Sequence, residues 1–216
     1  MQYLSVIVCF GGGLLTLASA TRVKMTTSED LRKEIERCSR DVKGIINDVA
    51  DFPIPGVIFK DLGPLWQDSD LSKRSIEAMT SQVELSQGRP DCVVGIESRG
   101  FIFGLAMALH WGVPFVPFRK PGKLPGAIRT VAYDLEYGSG ELQCQWNALK
   151  PGMKVLIHDD VLATGGTAKA AMRLVELCSA EIFACSFVLE IEALNARKNW
   201  ALLDVDSTCL SLVRYH

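Results

Sequence analysis

No internal repeat, low-complexity tract or heptad pattern occurs along the 216 residues, which excludes a solenoid or a coiled coil. Neither sign of charge dominates: 23 Lys and Arg stand against 25 Asp and Glu, a formal net charge of −2. The chain as a whole therefore has no electrostatic pull toward nucleic acid or a membrane surface, and any anion site must be local. The seven cysteines are odd in number and include no Cys-x-x-Cys pair. Cys92, Cys178 and Cys185 fall inside apolar strand or helix patterns, so they read as reduced, buried small hydrophobes. A disulfide framework and a zinc site are both excluded, and a reducing, cytoplasmic setting is expected.

The first 24 residues pull the other way. Leu4 to Ala20 is almost wholly apolar or small, and Ala18-Ser19-Ala20 has the form of a signal-peptidase site. The stretch before it lacks Lys and Arg, three consecutive glycines interrupt the apolar run, and the run is short for a spanning helix. A weak signal, giving a secretory or membrane-associated protein, a membrane-proximal anchor and a dispensable upstream extension are the three readings. The third agrees with the reduced cysteines and is adopted, with the working domain beginning at Met25 and running to residue 216.

What is present is an ordinary globular mixture, 48% hydrophobic and 22% charged, in one domain large enough to bury a substantial core. Its organising stretch is VLIHDDVLATGGTA, Val155 to Ala168. A short apolar strand, Lys154 to His158, is followed by two acids and then by a turn opening a helix. Parallel α/β sheets bind ligands where a strand gives way to a helix N-terminus, whose free N–H groups and positive dipole end hold a phosphate. Gly165 and Gly166 admit an anion close to the backbone, and Thr164 and Thr167 add hydroxyl donors. Asp159 and Asp160 would repel that phosphate, so they are assigned to something neutral beside it, for which vicinal sugar hydroxyls fit best. Together the parts describe a ribose 5-phosphate site.

The remaining chain alternates strand and helix. Ser28 is expected to cap a helix whose apolar face continues to about Ala50. DFPIPGVIFKD, Asp51 to Asp61, reads as a fixed irregular loop because two prolines and a glycine fall within four residues. A helix over Asp68 to Gln87 and a buried strand over Asp91 to Ile96 follow. Glu97-Ser98-Arg99-Gly100 then leads into a helix, Phe101 to Trp111, apolar on almost every side and so read as buried. Val113 to Phe118 is the next strand. Arg99, at a strand-to-helix junction, is a second phosphate-binding candidate through its planar fork of donors. RKPGKLPG, Arg119 to Gly126, is a basic loop suited to polyphosphate, and Ile128 to Leu142 is a two-stranded excursion with YDLEYGSGEL at its middle. After the helix of Thr167 to Cys178 come a strand, Ile182 to Leu189, a short helix or turn, Asn195 to Leu203, and a last strand, Thr208 to Val213. The pattern predicts right-handed parallel crossovers.

VLIHDDVLATGGTA resembles the phosphoribosyl pyrophosphate signature of the type I phosphoribosyltransferases. DFPIPGVIFKD, VVGIESRGFIFG, RKPGKLPG and YDLEYG, in this order, resemble the adenine-specific branch of that family. The resemblance implies a central mostly parallel sheet flanked by helices, a small N-terminal hood at about 25–60, a core from about 61 to 216 and a flexible lid loop at about 119–142. It implies transfer of a 5-phosphoribosyl group to N9 of adenine, with AMP and pyrophosphate as products, Mg2+ acting through substrate and water rather than direct protein ligands, and a homodimer. By the same resemblance, Asp159 and Asp160 lie by the ribose hydroxyls, and Ala163, Thr164, Gly165, Gly166 and Thr167 cradle the 5-phosphate. Arg99, with the Glu97-Ser98 backbone, faces the pyrophosphate, aided by Arg119, Lys120 and Lys123. Phe59 stacks on the base, backbone groups from Val57 to Lys60 read its edge, and Ile191 closes the other face. Glu136 is the general acid/base, on a loop that closes with Tyr137 over the reactants. His158 stands where most of the family carry an aliphatic residue, and Pro121 stiffens the basic loop. A different purine base would keep the ribose-phosphate stretch and change the hood around Phe59. A non-catalytic sensor of phosphoribosyl pyrophosphate could dispense with Glu136 and the basic loop.

Overall fold

The computed structural model describes residues 27–134, 139–200 and 208–216. The chain enters as helix α1 (Ser28–Ile45), begun by a reciprocal capping box in which Thr27 and Asp30 each accept the other's backbone N–H. The cap is thus Thr27, one residue before the expected Ser28. Helix α1 stops at Ile45 rather than near Ala50, because Ile46 is extended and Asn47–Ala50 forms strand β1. β1 pairs antiparallel with β2 (Ile58–Asp61), setting Val49 opposite Phe59. A strand partner here overrides the helical periodicity of Val42, Ile45, Ile46 and Val49. The expected irregular loop is accordingly confined to residues 51–57, and its last four residues are a strand. Short helix α2 (Gly63–Gln67) and α3 (Ser69–Ser86) follow, the latter capped by Asp68, whose carboxylate accepts from Leu71 N–H at 2.9 Å.

From there strand and helix alternate through β3 (Cys92–Ile96), α4 (Gly100–Trp111), β4 (Phe115–Phe118), the hairpin β5 (Ile128–Asp134) and β6 (Ser139–Gln145), β7 (Lys154–Leu162), α5 (Gly166–Leu177) and β8 (Glu181–Ile191). Two 3-10 turns, Glu192–Leu194 and Ala196–Trp200, precede β9 (Cys209–Tyr215). Among the described residues the central sheet has the order β4-β3-β7-β8-β9, every pair parallel. Its strands are apolar on both faces, as a sheet covered on both sides requires. Val155 and Ile157 of β7 pack toward α5 and the β5–β6 hairpin, while Leu156 packs toward α1, α3 and α4. Cys38 and Val42 place α1 within that second core layer, whereas most of the β1–β2 hairpin is exposed.

Helix α4 corrects one expectation. Phe103, Met107 and Ala108 are buried, but Ile102, Leu105 and Leu109 are 45%, 46% and 73% exposed. Its all-round apolar sequence therefore covers one buried face and one open face. The N-terminal apolar run lies outside the described residues; among those described, no helix is long and apolar enough to cross a membrane.

Candidate active site

β3 and β7 are neighbours in the sheet, and both end toward the same side. At their carboxyl ends lies a cavity of about 650 Å³ lined by Glu97, Ser98, Arg99, Lys120, Pro121, Tyr133, Gly140, Glu141, Asp159, Asp160 and Thr167. Two stretches 63 residues apart in sequence are thus joined by one strand pairing, Cys92 opposite Val155 through Gly95 opposite His158.

β7 does not end at His158 as expected; it continues to Leu162, so both acids belong to the strand. Asp159 and Asp160 nevertheless line the cavity rather than the core. Asp159 Oδ1 accepts from the Asp160 N–H at 2.9 Å, and Arg99 Nε lies 2.8 Å from Asp160 Oδ2. Burial pushes both carboxyls above the ordinary range for aspartate. The neighbouring Asp160 charge raises Asp159 further, while the Arg99 guanidinium opposes the rise at Asp160. Two adjacent acids short of water share their charge unwillingly, and a cation or hydroxyl donor brought between them relieves that cost. α4 approaches β7 closely enough to set this up only because residue 100 is glycine. A Cβ there would lie 2.7 Å from the His158 carbonyl oxygen and 3.0 Å from Asp159 Oδ1.

The turn from Ala163 to Thr167 opens α5. Gly165 takes the left-handed conformation, φ 83°, and Thr167 reaches the cavity wall. The Gly165 carbonyl accepts from Trp200 Nε1 at 3.1 Å and from the Lys169 N–H at 2.9 Å. Trp200, only 2% exposed, has no signal in the sequence that would link it to this turn.

The basic loop is tied down by Glu97. Its Oε2 accepts from Arg119 Nε at 3.1 Å and from the Lys120 N–H at 2.7 Å. Burial works against the charged form, yet these two donors hold Glu97 below the ordinary glutamate range. Lys120 lines the cavity, while Lys123 is exposed on the loop and does not. Arg119 lies on Glu97 and over the Phe101 ring, 5.7 Å from its centroid. In the hood, Phe59 meets Phe52 edge-on at 5.1 Å and the Arg99 guanidinium at 5.4 Å, so the aromatic candidate adjoins the arginine. The Val57 N–H and carbonyl are engaged within the loop, by Ile54 and Phe52, and the Lys60 amine is turned to Asp48 at 2.6 Å and the Tyr215 ring. Ile191 ends β8, half-buried. Glu136 and Tyr137 lie outside the described residues. Sequence reasoning missed Tyr133 and Glu141, which line the cavity from the β5–β6 hairpin; Tyr133 pairs with Gly140 and Glu141 with Ala132, so alternation along the strands sets the two on opposite faces and gave no signal that both reach the site. Among the described residues no three His, Cys, Asp or Glu side chains converge on one metal position. The donors present, carboxylates beside an open cavity, suit a hard cation that keeps its waters.

The phosphoribosyl transferase domain family matches residues 67–211. A curated protein named adenine phosphoribosyltransferase from Cytophaga hutchinsonii is 40% identical over 191 residues, covering 88% of this chain and all of that protein. Another of the same name, from Carboxydothermus hydrogenoformans, is 47% identical over 175 residues, covering 81% of this chain and 99% of that protein. The crystal structure of adenine phosphoribosyltransferase from Thermoanaerobacter pseudethanolicus superposes with a TM-score of 0.76 at 37% identity, covering 82% of this chain and 99% of that one. The Saccharomyces cerevisiae enzyme, complexed with adenine and an imino-altritol bisphosphate, gives the same TM-score and identity, covering 82% and 98%.

Proposed function

The chain belongs to the adenine phosphoribosyltransferase family, and from that premise we propose that it transfers the 5-phosphoribosyl group of phosphoribosyl pyrophosphate to N9 of adenine, forming AMP and pyrophosphate. The observation that carries this reading is the single cavity that brings Arg99, Lys120, Asp159, Asp160 and Thr167 together at the ends of two parallel strands.

In this reading the turn from Ala163 to Thr167 holds the 5-phosphate at the α5 N-terminus, where N–H groups and dipole favour an anion. Asp159 and Asp160 accept from the ribose hydroxyls and fix the sugar. Breaking the bond between the sugar and pyrophosphate builds positive charge on the ribose and negative charge on the leaving group. Arg99, Lys120 and the loop anchored by Glu97 stand where the negative charge grows, fixed before reaction. Asp159 and Asp160 are the residues that would hold a hydrated magnesium ion beside the sugar, and such an ion, when bound, would supply positive charge to the leaving group. Phe59 offers a face to the base. Glu136, which follows β5 in the sequence, serves as acid/base, and the hairpin with Tyr133 and Glu141 keeps water from the ribosyl centre. Selection of an amino-purine over an oxo-purine depends on edge hydrogen bonds, since an unpaired buried donor or acceptor is costly.

A homodimer belongs to the same reading, supported by the open apolar face of α4. A reducing, cytoplasmic setting is supported by the buried thiols of Cys38, Cys92, Cys144, Cys178 and Cys185, none in a disulfide. The deciding assay is release of pyrophosphate with adenine, hypoxanthine, guanine and no base. Turnover with adenine alone is expected. Turnover with hypoxanthine or guanine would reassign the substrate, and binding of phosphoribosyl pyrophosphate without turnover would make the protein a sensor.

A further inference from the structure

We propose that Trp200 is a positioning residue for the phosphate turn, acting through the Gly165 carbonyl without touching substrate. The inference rests on the phosphoribosyl reading of the site. The indole N–H and the Lys169 N–H share the Gly165 carbonyl oxygen, at 3.1 and 2.9 Å. The peptide joining Gly165 to Gly166 is trans and planar, so fixing the carbonyl inward turns the Gly166 N–H the opposite way, out along the start of α5. That N–H is one of the donors a phosphate would use.

The contact is close on every side. A Cβ on residue 165 would lie 2.7 Å from the indole nitrogen, so glycine is required both for its φ of +83° and for room against Trp200. The indole also packs on Phe187, ring centroids 6.2 Å apart, and Phe187 is the β8 partner of Asp159. It thereby spans from the phosphate turn to the strand beside the acids. The turn that carries Trp200 is itself anchored away from the cavity. Arg197 grips Glu190 with two hydrogen bonds of 2.7 Å and donates to the Cys209 carbonyl at 3.0 Å. Glu190 is 3% exposed and also accepts from Ser211 at 2.8 Å. A rigid post on β8 and β9 thus holds the phosphate turn in its binding shape before any ligand arrives.

The test is full-length Trp200→Phe, which keeps an aromatic ring and removes the N–H. Loss of one neutral hydrogen bond predicts a KM for phosphoribosyl pyrophosphate raised about three- to tenfold, with kcat and the KM for adenine within about twofold. A lowered melting temperature with both KM values unchanged, or with both raised alike, would overturn the proposal. Titration calorimetry with ribose 5-phosphate gives a readout that needs no transfer reaction. Weaker ribose 5-phosphate binding supports Trp200 even if the wild type fails to turn over adenine, an outcome that would sink only the activity. If Trp200→Phe does not fold, Gly165→Ala pushes directly on the indole, and unchanged ribose 5-phosphate affinity in that variant refutes the idea.

Discussion

His158 is fully buried beneath α4, its Cδ2 lying 3.5 Å from where a Cβ on Gly104 would stand, and neither ring nitrogen makes a well-formed hydrogen bond. Burial pushes the imidazole down to about 4, with the Ser186 backbone a weaker opposing influence. The unfolded chain therefore takes up a proton below the ordinary value of 6.5 that the folded chain refuses. The linked stability is complete above pH 6.5 and is lost as pH falls from 6.5 toward 4, a loss of roughly 3 kcal/mol at about 1.4 kcal/mol per unit. Its magnitude isolates cleanly in a comparison, because the raised Asp159 and Asp160 carboxyls titrate in both proteins. His158→Leu should melt higher than wild type at pH 5 by several degrees, with a smaller gap at pH 8; equal pH profiles would refute this account. At this scale the sequence marked His158 as unusual, but its burial and its lack of well-formed hydrogen bonds come from elements remote in the chain.

Among the elements, the approach of α4 to β7 matters most for the site. An alanine at position 100 would drive its Cβ into the His158 backbone oxygen, and neither strand nor helix backbone can yield cheaply. Gly100→Ala should therefore move the α4 N-terminus, part Arg99 from Asp160, lower kcat/KM by about a hundredfold or more and cost about 1–3 kcal/mol of stability. Steady-state pyrophosphate release and thermal melting check both effects, and full activity would show that α4 tolerates the shift. Elsewhere local patterns set most elements correctly. The buried strand ending at Ile96, the helix stopped by left-handed Gly112 and the glycine turn opening α5 were all legible from residue type and order. Periodicity failed where a partner strand decided the outcome: β1 has no helix-breaking residue within it and exists because β2 pairs with it.

Across the whole molecule, Ile102, Leu105 and Leu109 form an open apolar row on α4, directly after the arginine of the candidate site. Under the dimer reading, Leu105→Glu with Leu109→Lys should convert a dimer into a monomer in sedimentation velocity at micromolar concentration. A monomeric wild type would sink that reading. The sequence alone determined the sheet-forming runs, the parallel strand-helix alternation and the glycine turn that opens α5, because these depend on residue type within a dozen neighbours. Tertiary structure alone decided that Arg99 would face Asp160, that Lys123 would stay outside the cavity, and that Tyr133, Glu141 and Trp200 would join the site. The reason is distance along the chain: such contacts are set by which strands pair and in what register, and no local pattern encodes a partner dozens of residues away.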